Sequence, residues 1–377
     1  MGIRVAIDAS RNRSGGAKAH LVGILRDSDP REHGIEAVHV WSYKSLLAAL
    51  PKRPWLVKHN PAALERGLAH QMWWQWRHLP REIAQAGCQV LLSTDAGSIC
   101  RYSPSAVMSR DMLSYEPGEM QRYGFSMARL RLLALKYVQN RSLRLAEGAI
   151  FLTRYAAKVI QENTGRLPRV SIIPHGVGDE FKAVTPRQDW PAPGGGPVEC
   201  LYVSNAAMYK HQWHVVRAVT SLRRQGHDMR LRLVGGGSGR AQALLEAEIA
   251  RSDPHGAFVR CEPFARPEHL PGILSQAHLF IFASSCENMP NTLVEAMAAG
   301  LPIACSNRGP MPEVLGDGGV TFDPEAPDSI AAAIEALLRD DDRRRDLAAQ
   351  ARRLAENYSW SRCGRETWQF LSHLTGR

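Results

Sequence analysis

The sequence lacks long apolar runs and paired cysteine motifs. It contains no stretch of about 18 consecutive apolar residues, so no segment is predicted to cross a membrane as a helix. Its apolar N-terminal stretch is short and contains Asp8, which favours a first strand over a signal peptide. The seven cysteines are odd in number and form no CxxC pair, which argues against a disulfide framework and against a structural zinc site. Such cysteine usage is typical of a reducing compartment, so the predicted location is cytoplasmic.

Aromatic residues are also few, at 7% of the chain. The net charge of +10 suits an anionic partner, which means nucleic acid, a phosphorylated substrate or an anionic membrane surface. Proteins that bind nucleic acid combine basic residues with stacking aromatics, and this chain has no strip of that kind. A nucleic-acid-binding protein is therefore kept as an alternative, and the predicted partners do not include nucleic acid.

Acidic pairs that could hold a metal ion are missing from the ends of the predicted strands. An Asp-x-Asp motif, Asp27 and Asp29, follows a predicted helix and precedes Pro30. We interpret it as a turn and predict no metal site.

Strand-like and helix-like segments alternate along the 377 residues, a length that favours two domains. Alternation of this kind predicts α/β architecture with parallel sheets covered on both faces. The predicted strands of the first half are residues 4–7, 37–40, 90–93, 106–108 and 149–152, with a first helix at 17–26. The predicted strands of the second half are residues 199–203, 230–234, 279–283 and 302–306, with helices at 213–224, 241–249, 292–299 and 329–338.

A segment rich in proline and glycine, residues 185–197, separates the two halves and is the predicted linker. The first domain is predicted to comprise residues 1–184, and the second residues 198–359. The last residues, from about 360 to 377, carry Trp360, Trp368 and Phe370 at helical spacing, and we expect them to return to the first domain. Two doubly wound domains would place a ligand beyond the carboxyl ends of their strands, in a cleft between the domains.

The most informative segment is residues 280–314, which alternates strand, loop, helix, strand and loop. Gly300 is predicted to end the helix in the left-handed conformation, with Pro302 just beyond it. The opening amides of this helix, together with its dipole, predict a phosphate site. Glu287 and Glu295 flank that point, and carboxylates are suitable acceptors for sugar and ribose hydroxyls.

The Glu-x7-Glu spacing within ENMPNTLVEAMAAGLPIACS resembles the family 4 glycosyltransferases of the GT-B fold, which are retaining enzymes. The resemblance implies that Glu287 lies by the donor sugar hydroxyls and that Glu295 binds the ribose. It also implies that backbone amides of the loop and helix start hold the diphosphate or the sugar, and the residues concerned are Met289, Pro290, Asn291, Thr292 and Leu293. The alternative for Glu295 is a capping box with Thr292.

Other segments match the same family. The sequence YVSN followed by MYKHQ resembles its basic phosphate-binding loop, with Lys210 at the lysine position and Asn205 where an arginine is common. Gly235 lies in a GGG loop that resembles the loop near the base. Gly15 and Gly16 resemble the N-terminal glycine-rich loop.

Arg110 stands where the family commonly has a histidine that approaches the donor sugar. The resemblance implies a contact of Arg110 with the sugar or phosphate, and a surface salt bridge with Asp111 is the alternative. His175, in a sequence that resembles the family's IPNGV turn, is interpreted as structural.

The resemblance implies a retaining, metal-independent glycosyltransferase without a cofactor, which moves a hexose from a UDP- or GDP-linked donor to a glycan or lipid-linked glycan. Lys210 and Glu287 are the predicted catalytic residues, and synthesis of bacterial cell-surface polysaccharide or lipopolysaccharide is the predicted role. The alternatives are a nucleotide-sugar-binding protein without activity and a GT-B epimerase or phosphorylase, over which the Glu-x7-Glu string favours transfer.

Residues 122–158 alternate basic and apolar side chains. A basic amphipathic stretch can lie on an anionic membrane surface, which would make the protein peripheral at the inner face of the membrane. The alternative is a core helix with a solvated basic face.

Overall fold

Two parallel β-sheets organise the chain in the computed structural model, which describes residues 2–13, 15–187, 190–191 and 195–376. Each sheet belongs to its own compact unit. The first unit runs to Gly176 and resumes at Ser359, and the second comprises Val177–Tyr358. Both units are Rossmann-like, because their strands are parallel and helices connect most of them.

The first unit has a seven-stranded sheet in the order β3-β2-β1-β4-β5-β6-β7. Its strands are β1 (Ile3–Asp8), β2 (Ile35–Trp41), β3 (Leu56–His59), β4 (Val90–Ser93), β5 (Ser105–Met108), β6 (Gly148–Phe151) and β7 (Val170–Ile172). Its helices are α1 (Gly15–Asp27), α2 (Lys44–Ala49), α3 (Leu68–Arg77), α4 (Leu79–Gln85), α5 (Met127–Leu145) and α6 (Arg154–Thr164). Within the described part of this unit, the connection from β4 to β5 is the one crossover that contains no helix.

The second unit has a six-stranded sheet in the order β10-β9-β8-β11-β12-β13. Its strands are β8 (Val198–Val203), β9 (Met229–Val234), β10 (Val259–Glu262), β11 (Leu279–Phe282), β12 (Ile303–Ser306) and β13 (Val320–Phe322). Its helices are α7 (Asp179–Lys182), α8 (Gln212–Arg224), α9 (Gly239–Ser252), α10 (Leu270–Leu274), α11 (Asn291–Ala298), α12 (Met311–Leu315), α13 (Pro327–Arg339) and α14 (Asp341–Ala355).

Continuous apolar sequence explains why the central strands form. β4, β6, β11 and β12 are buried at every position, as expected of strands that are covered on both faces. In each unit the sheet order changes direction beside the first strand, between β1 and β4 and between β8 and β11. Such a switch point leaves a crevice at the carboxyl ends of the two strands, where ligands bind in folds of this type.

The division between the units lies before the predicted linker, so the predicted boundary at residue 184 is corrected to Gly176. Residues 177–184 belong to the second unit because α7 packs against α11 and Arg352 donates a hydrogen bond to the carbonyl of Lys182. Trp190 of the predicted linker stacks on the Arg344 guanidinium, 3.6 Å from the ring centre. Residues 188–189 and 192–194 of that linker lie outside the described residues.

The C-terminal helix α15 (Trp360–Leu374) belongs to the first unit and packs on α1. Trp368 is fully buried there, and its Nε1 donates a hydrogen bond to Ser28 Oγ at 2.7 Å. The two helices approach closely at Gly23, where an added Cβ would lie 2.3 Å from the Trp360 ring. The segment of Asp27 and Asp29, which was predicted to be a turn, follows the end of α1 at Asp27. The Asp29 side chain accepts a hydrogen bond from the Arg31 amide and so caps the next helical turn.

None of the described helices combines the length and the apolar composition that a membrane span requires.

Candidate functional site

The loop that follows β8 carries Lys210 and is fixed by its backbone. Tyr202 Oη donates a hydrogen bond to the Lys210 carbonyl at 2.7 Å, and His211 adopts a left-handed φ of 47°. Burial raises the pKa of Tyr202, and the charge of Glu287 adds to that shift, so the phenol stays a neutral donor. These contacts place Lys210 at the carboxyl end of β8.

The loop that follows β11 carries Glu287 and is tied to the first loop. The amide of Ser285 donates to the Tyr209 carbonyl at 2.8 Å, and Ser285 Oγ lies 2.9 Å from His211 Nε2. Since β8 and β11 are neighbours in the sheet, these bonds hold the two loops side by side at the switch point.

Lys210 and Glu287 form an ion pair at this point, although 77 residues separate them in the sequence. The pair is largely buried, with 9% and 16% of the two side chains exposed. The Lys210 ammonium also lies 5.2 Å from the centre of the Phe282 ring. An ammonium group has three donors, so Lys210 can keep this bond and still donate to an anion.

The helix α11 begins directly after the Glu287 loop. Among the described residues, the amides of Met289 and Thr292 have no acceptor, so they are available to an anion at the positive end of the helix dipole. The amides of Asn291 and Leu293 donate to the carbonyls of Met289 and Pro290, at 3.0 Å in both cases.

The predicted cradle from Met289 to Leu293 is therefore smaller than expected. Pro290 has no N–H, and its carbonyl accepts a hydrogen bond. The amides of Asn291 and Leu293 already donate hydrogen bonds within the turn. The predicted glycine cap is confirmed, since Gly300 has a φ of +74°.

Glu295 lies one turn into α11 and is partly buried. No side-chain bond caps the start of the helix, so the capping box with Thr292 does not form. Burial raises the pKa of Glu295 to about 7, and the negative charge of Glu180 on α7 contributes. Within the described chain its carboxylate has no hydrogen-bond partner, which leaves it able to accept bonds from a ligand.

Gly235, at the end of β9, approaches the backbone of the Lys210 loop. Its φ is +144°, and an added Cβ would lie 2.3 Å from the Ser204 carbonyl oxygen. A side chain does not fit there, so the glycine keeps the two loops in contact. Asn205, in the same Lys210 loop, is exposed and uncharged.

In the first unit, the structure brings the start of α1 close to Arg110. Arg110 donates to Asn12 Oδ1 at 2.8 Å, and Nδ2 of the same Asn12 side chain donates to the Ala17 carbonyl in the first turn of α1. Gly15 and Gly16 were predicted to lie in a loop before a helix that starts at residue 17. The helix α1 begins two residues earlier, so both glycines are its first residues.

The salt bridge of Arg110 with Asp111 is not formed. The acidic side chain nearest Arg110 is Asp95, at 4.0 Å, whereas Asp111 accepts from the Leu113 amide and from Gln139. His175 is buried and stacks on His20, with ring centres 4.9 Å apart.

Several residues of these sites carried no signal that single-sequence reasoning could use. Asn12 and Asp95 contact Arg110, and Glu180 adds negative charge near Glu295. Ser285 joins the two loops of the second unit through its backbone and hydroxyl. Each acts through a contact between distant segments, and the sequence shows only that polar residues follow the strands.

Residues 187–354 match the family described as Glycosyl transferases group 1. The chain is 34% identical to the O-antigen chain mannosyltransferase B of Escherichia coli over 110 residues. These aligned residues are 29% of this chain and 29% of that protein. Over 267 residues it is 27% identical to a GDP-mannose-dependent alpha-(1-6)-phosphatidylinositol monomannoside mannosyltransferase of Mycolicibacterium smegmatis, covering 66% of this chain and 67% of that protein. The chain spans 30% to 47% of the length of four other curated relatives that it matches.

Solved structures resemble the chain along nearly its whole length. Sucrose-phosphate synthase from Thermosynechococcus elongatus has a TM-score of 0.79 and 17% identity, covering 99% of both chains. Anabaena HepE in complex with UDP and glucose has a TM-score of 0.69 and 17% identity, covering 97% of this chain and 98% of that one. These likenesses confirm the predicted GT-B fold class of two Rossmann-like domains.

Proposed function

We propose that this protein is a retaining glycosyltransferase that uses a nucleotide-sugar donor, because residues 187–354 match the glycosyl transferases group 1 family. The donor is a UDP- or GDP-linked hexose, and the acceptor is a glycan or a lipid-linked glycan. The observation that carries the proposal is the Lys210–Glu287 pair at the switch point, beside the free amides of Met289 and Thr292.

Each group of this site has a defined part in the transfer. The bond from the anomeric carbon to the diphosphate breaks, and its electron pair leaves with the diphosphate. Lys210 and the amides of Met289 and Thr292 stabilise that negative charge. The acceptor hydroxyl bonds to the same carbon and releases its proton, which the departing diphosphate can take up.

The two glutamates position the donor. Glu287, which is paired with Lys210, accepts hydrogen bonds from sugar hydroxyls, and Glu295 accepts from the ribose hydroxyls. Asn205, in the Lys210 loop, lies within reach of the same diphosphate, and Gly235 lets the loop near the base pass closely. In the first unit, Arg110 and the α1 amides of Gly15 and Gly16 contact the sugar or phosphate. The transfer needs neither a metal ion nor a cofactor.

The exposed surface of helix α5 favours a location of the enzyme at an anionic membrane surface, on the cytoplasmic side. The helix buries only Gln139 and Leu143 among its residues, which favours a surface helix over the core helix of the alternative interpretation. Its exposed apolar side chains recur every three or four residues and include Met127, Leu130 and Tyr137, which are 79%, 58% and 70% exposed. Synthesis of bacterial cell-surface polysaccharide or lipopolysaccharide is the role that we propose, in which acceptors are linked to lipid.

A screen of UDP- and GDP-linked hexoses tests the function. We expect one donor to raise the melting temperature by mass action and to release its nucleoside diphosphate when acceptor is added, with EDTA leaving the rate unchanged. The anomeric configuration of the product, read by NMR, should equal that of the donor. Donor binding without release would support the nucleotide-sugar sensor, and no binding by any donor would contradict the proposal.

Glu295 gives the stability of the protein a pH dependence with a defined sign. Its pKa is about 7 in the folded chain and 4.5 when unperturbed, so between those values the folded state binds the proton more strongly. Stability from this group is therefore complete below pH 4.5 and is lost as the pH rises to about 7. Glu295→Gln removes the loss, so its melting temperature relative to the wild type should increase from about pH 5 to about pH 8.

The control for Glu295→Gln is Glu268→Gln, which changes an exposed glutamate with no bonding partner in the described chain. Thermal unfolding of both variants and the wild type across this pH range is the measurement. Equal slopes for the two variants would contradict the assigned environment of Glu295.

A further inference from the structure

A cavity of about 460 Å³ lies in the first unit and has no part in the chemistry assigned above. Strands β4 and β5 form its floor, and α5 and residues 98–103 form its walls. Small-molecule sites in proteins have volumes of roughly 300–1,000 Å³, so the cavity is large enough for a ligand.

The cavity exists because the helical layer is incomplete there. Residues 94–104 connect β4 to β5 without a helix, so a coil covers this part of the sheet. The side chains of Leu91 and Val107 point from the sheet into the space that a crossover helix would fill.

The walls of the cavity are mainly apolar. Trp76, Ile99, Val138 and Leu145 line it. Two of its serines are already bonded, since Ser103 and Ser105 contact the Glu147 carboxylate through hydrogen bonds. An apolar occupant suits such a lining better than a sugar, which needs many hydrogen bonds.

Two cationic side chains, Arg101 and Arg141, also line the cavity, and both are exposed. Within the described chain neither guanidinium has an ion-pair or hydrogen-bond partner, whereas Arg144 on the same helix donates to two carbonyls. Unpaired arginines beside an apolar space fit an anionic head group, because a guanidinium binds phosphate oxygens in pairs.

The cavity is continuous with the exposed apolar face of α5. Arg141 and Leu145 also line a neighbouring cavity of about 230 Å³, together with Tyr137. Tyr137 and Leu145 are 70% and 61% exposed, so this side of the helix presents apolar surface to the solvent. A hydrocarbon chain that lies on this face of α5 can therefore reach the larger cavity.

We propose that this cavity binds the hydrocarbon chain of a membrane lipid whose anionic phosphate head pairs with Arg101 and Arg141. The apolar lining accepts the chain, and the two arginines select the charge of the head. The site goes beyond the proposed function, because lipid binding here requires neither the donor nor Lys210.

Single-chain amphiphiles in monomeric form test the site directly. We expect dodecyl phosphate to bind by calorimetry, dodecyl phosphocholine to bind at least about fivefold more weakly, and inorganic phosphate alone not to bind detectably. Equal affinity for the two amphiphiles would overturn the role of the arginines.

Variants separate the cavity from the surface of α5. Val138→Trp fills the cavity and should weaken dodecyl phosphate binding at least tenfold, and Ser142→Leu, a smaller filling, serves if that variant unfolds. Arg141→Gln should weaken binding severalfold, whereas Arg131→Gln, its control on the same helix, should not; Arg131 is likewise exposed and unpaired within the described chain and lines neither cavity.

Two further variants keep this proposal distinct from the others. Leu133→Ser should reduce binding to vesicles of anionic phospholipid while leaving dodecyl phosphate affinity unchanged, since Leu133 is exposed and outside both cavities. Lys210→Ala should retain lipid affinity whether or not it transfers sugar. Wild-type affinity in folded Val138→Trp and Ser142→Leu would overturn the proposal.

Discussion

Replacement of Lys210 by methionine is expected to lower kcat with the productive donor by roughly 10²–10³-fold, because the leaving diphosphate loses a preorganised positive charge. The loss should appear in kcat more than in KM, since the charge on the diphosphate grows as the bond breaks. Steady-state release of nucleoside diphosphate is the measurement. Arg224→Ala is the control, because it removes a positive charge from the same unit. The Arg224 side chain is exposed and has no bonding partner among the described residues.

The same lysine has a structural role that this experiment must separate from catalysis. Lys210 and Glu287 are paired and mostly buried, so removal of either leaves the other charge without its partner. A broken buried pair costs up to about 3–5 kcal/mol, whereas replacement of both partners by neutral groups of similar size is often nearly neutral.

The double variant Lys210→Met/Glu287→Gln resolves the two roles. We expect it to unfold in urea at a concentration near that of the wild type while both single variants unfold earlier, and we expect all three to transfer sugar poorly. Restored turnover in the double variant, or wild-type kcat in folded Lys210→Met, would show that the pair serves only stability.

The central strands could be predicted from the sequence because they are buried on both faces. Residues 90–93 and 302–306 read as short apolar runs and are strands β4 and β12, to within one residue. The edge strands were missed for the converse reason. β3 and β10 expose half of their residues and carry charges, so their sequences have no continuous apolar run.

The residues of the site could be predicted where their roles follow from the local sequence. The prediction failed where hydrogen bonds and ion pairs between distant segments determine a residue's partner. Lys210, Glu287 and Glu295 lie at the end of a strand or the start of a helix, which single-sequence reasoning can place. The status of each amide near α11 depends on the turn geometry, which leaves Met289 and Thr292 free and engages Leu293. The partner of Arg110 depends on how β4 and β5 are placed side by side, and the adjacent Asp111 was a misleading guide.

Replacement of Trp368 by alanine is expected to cost the first unit about 3–5 kcal/mol of unfolding free energy. The side chain is fully buried between α15 and α1, and its loss leaves a cavity as well as removing the bond to Ser28. Trp368→Phe keeps most of the apolar contact and should cost less, with about 1 kcal/mol for the lost hydrogen bond. Urea unfolding followed by circular dichroism measures both variants.

The comparison with an exposed neighbour shows what the C-terminal helix contributes. Gln369 is the next residue of α15 and is exposed, so Gln369→Ala should change the unfolding free energy by less than about 0.5 kcal/mol. A cost for Trp368→Ala that matched this control would mean that α15 adds little to the first unit. If the expected cost is found, α15 is part of the core of the first unit, and a chain cut after the second unit should leave the first unit unstable.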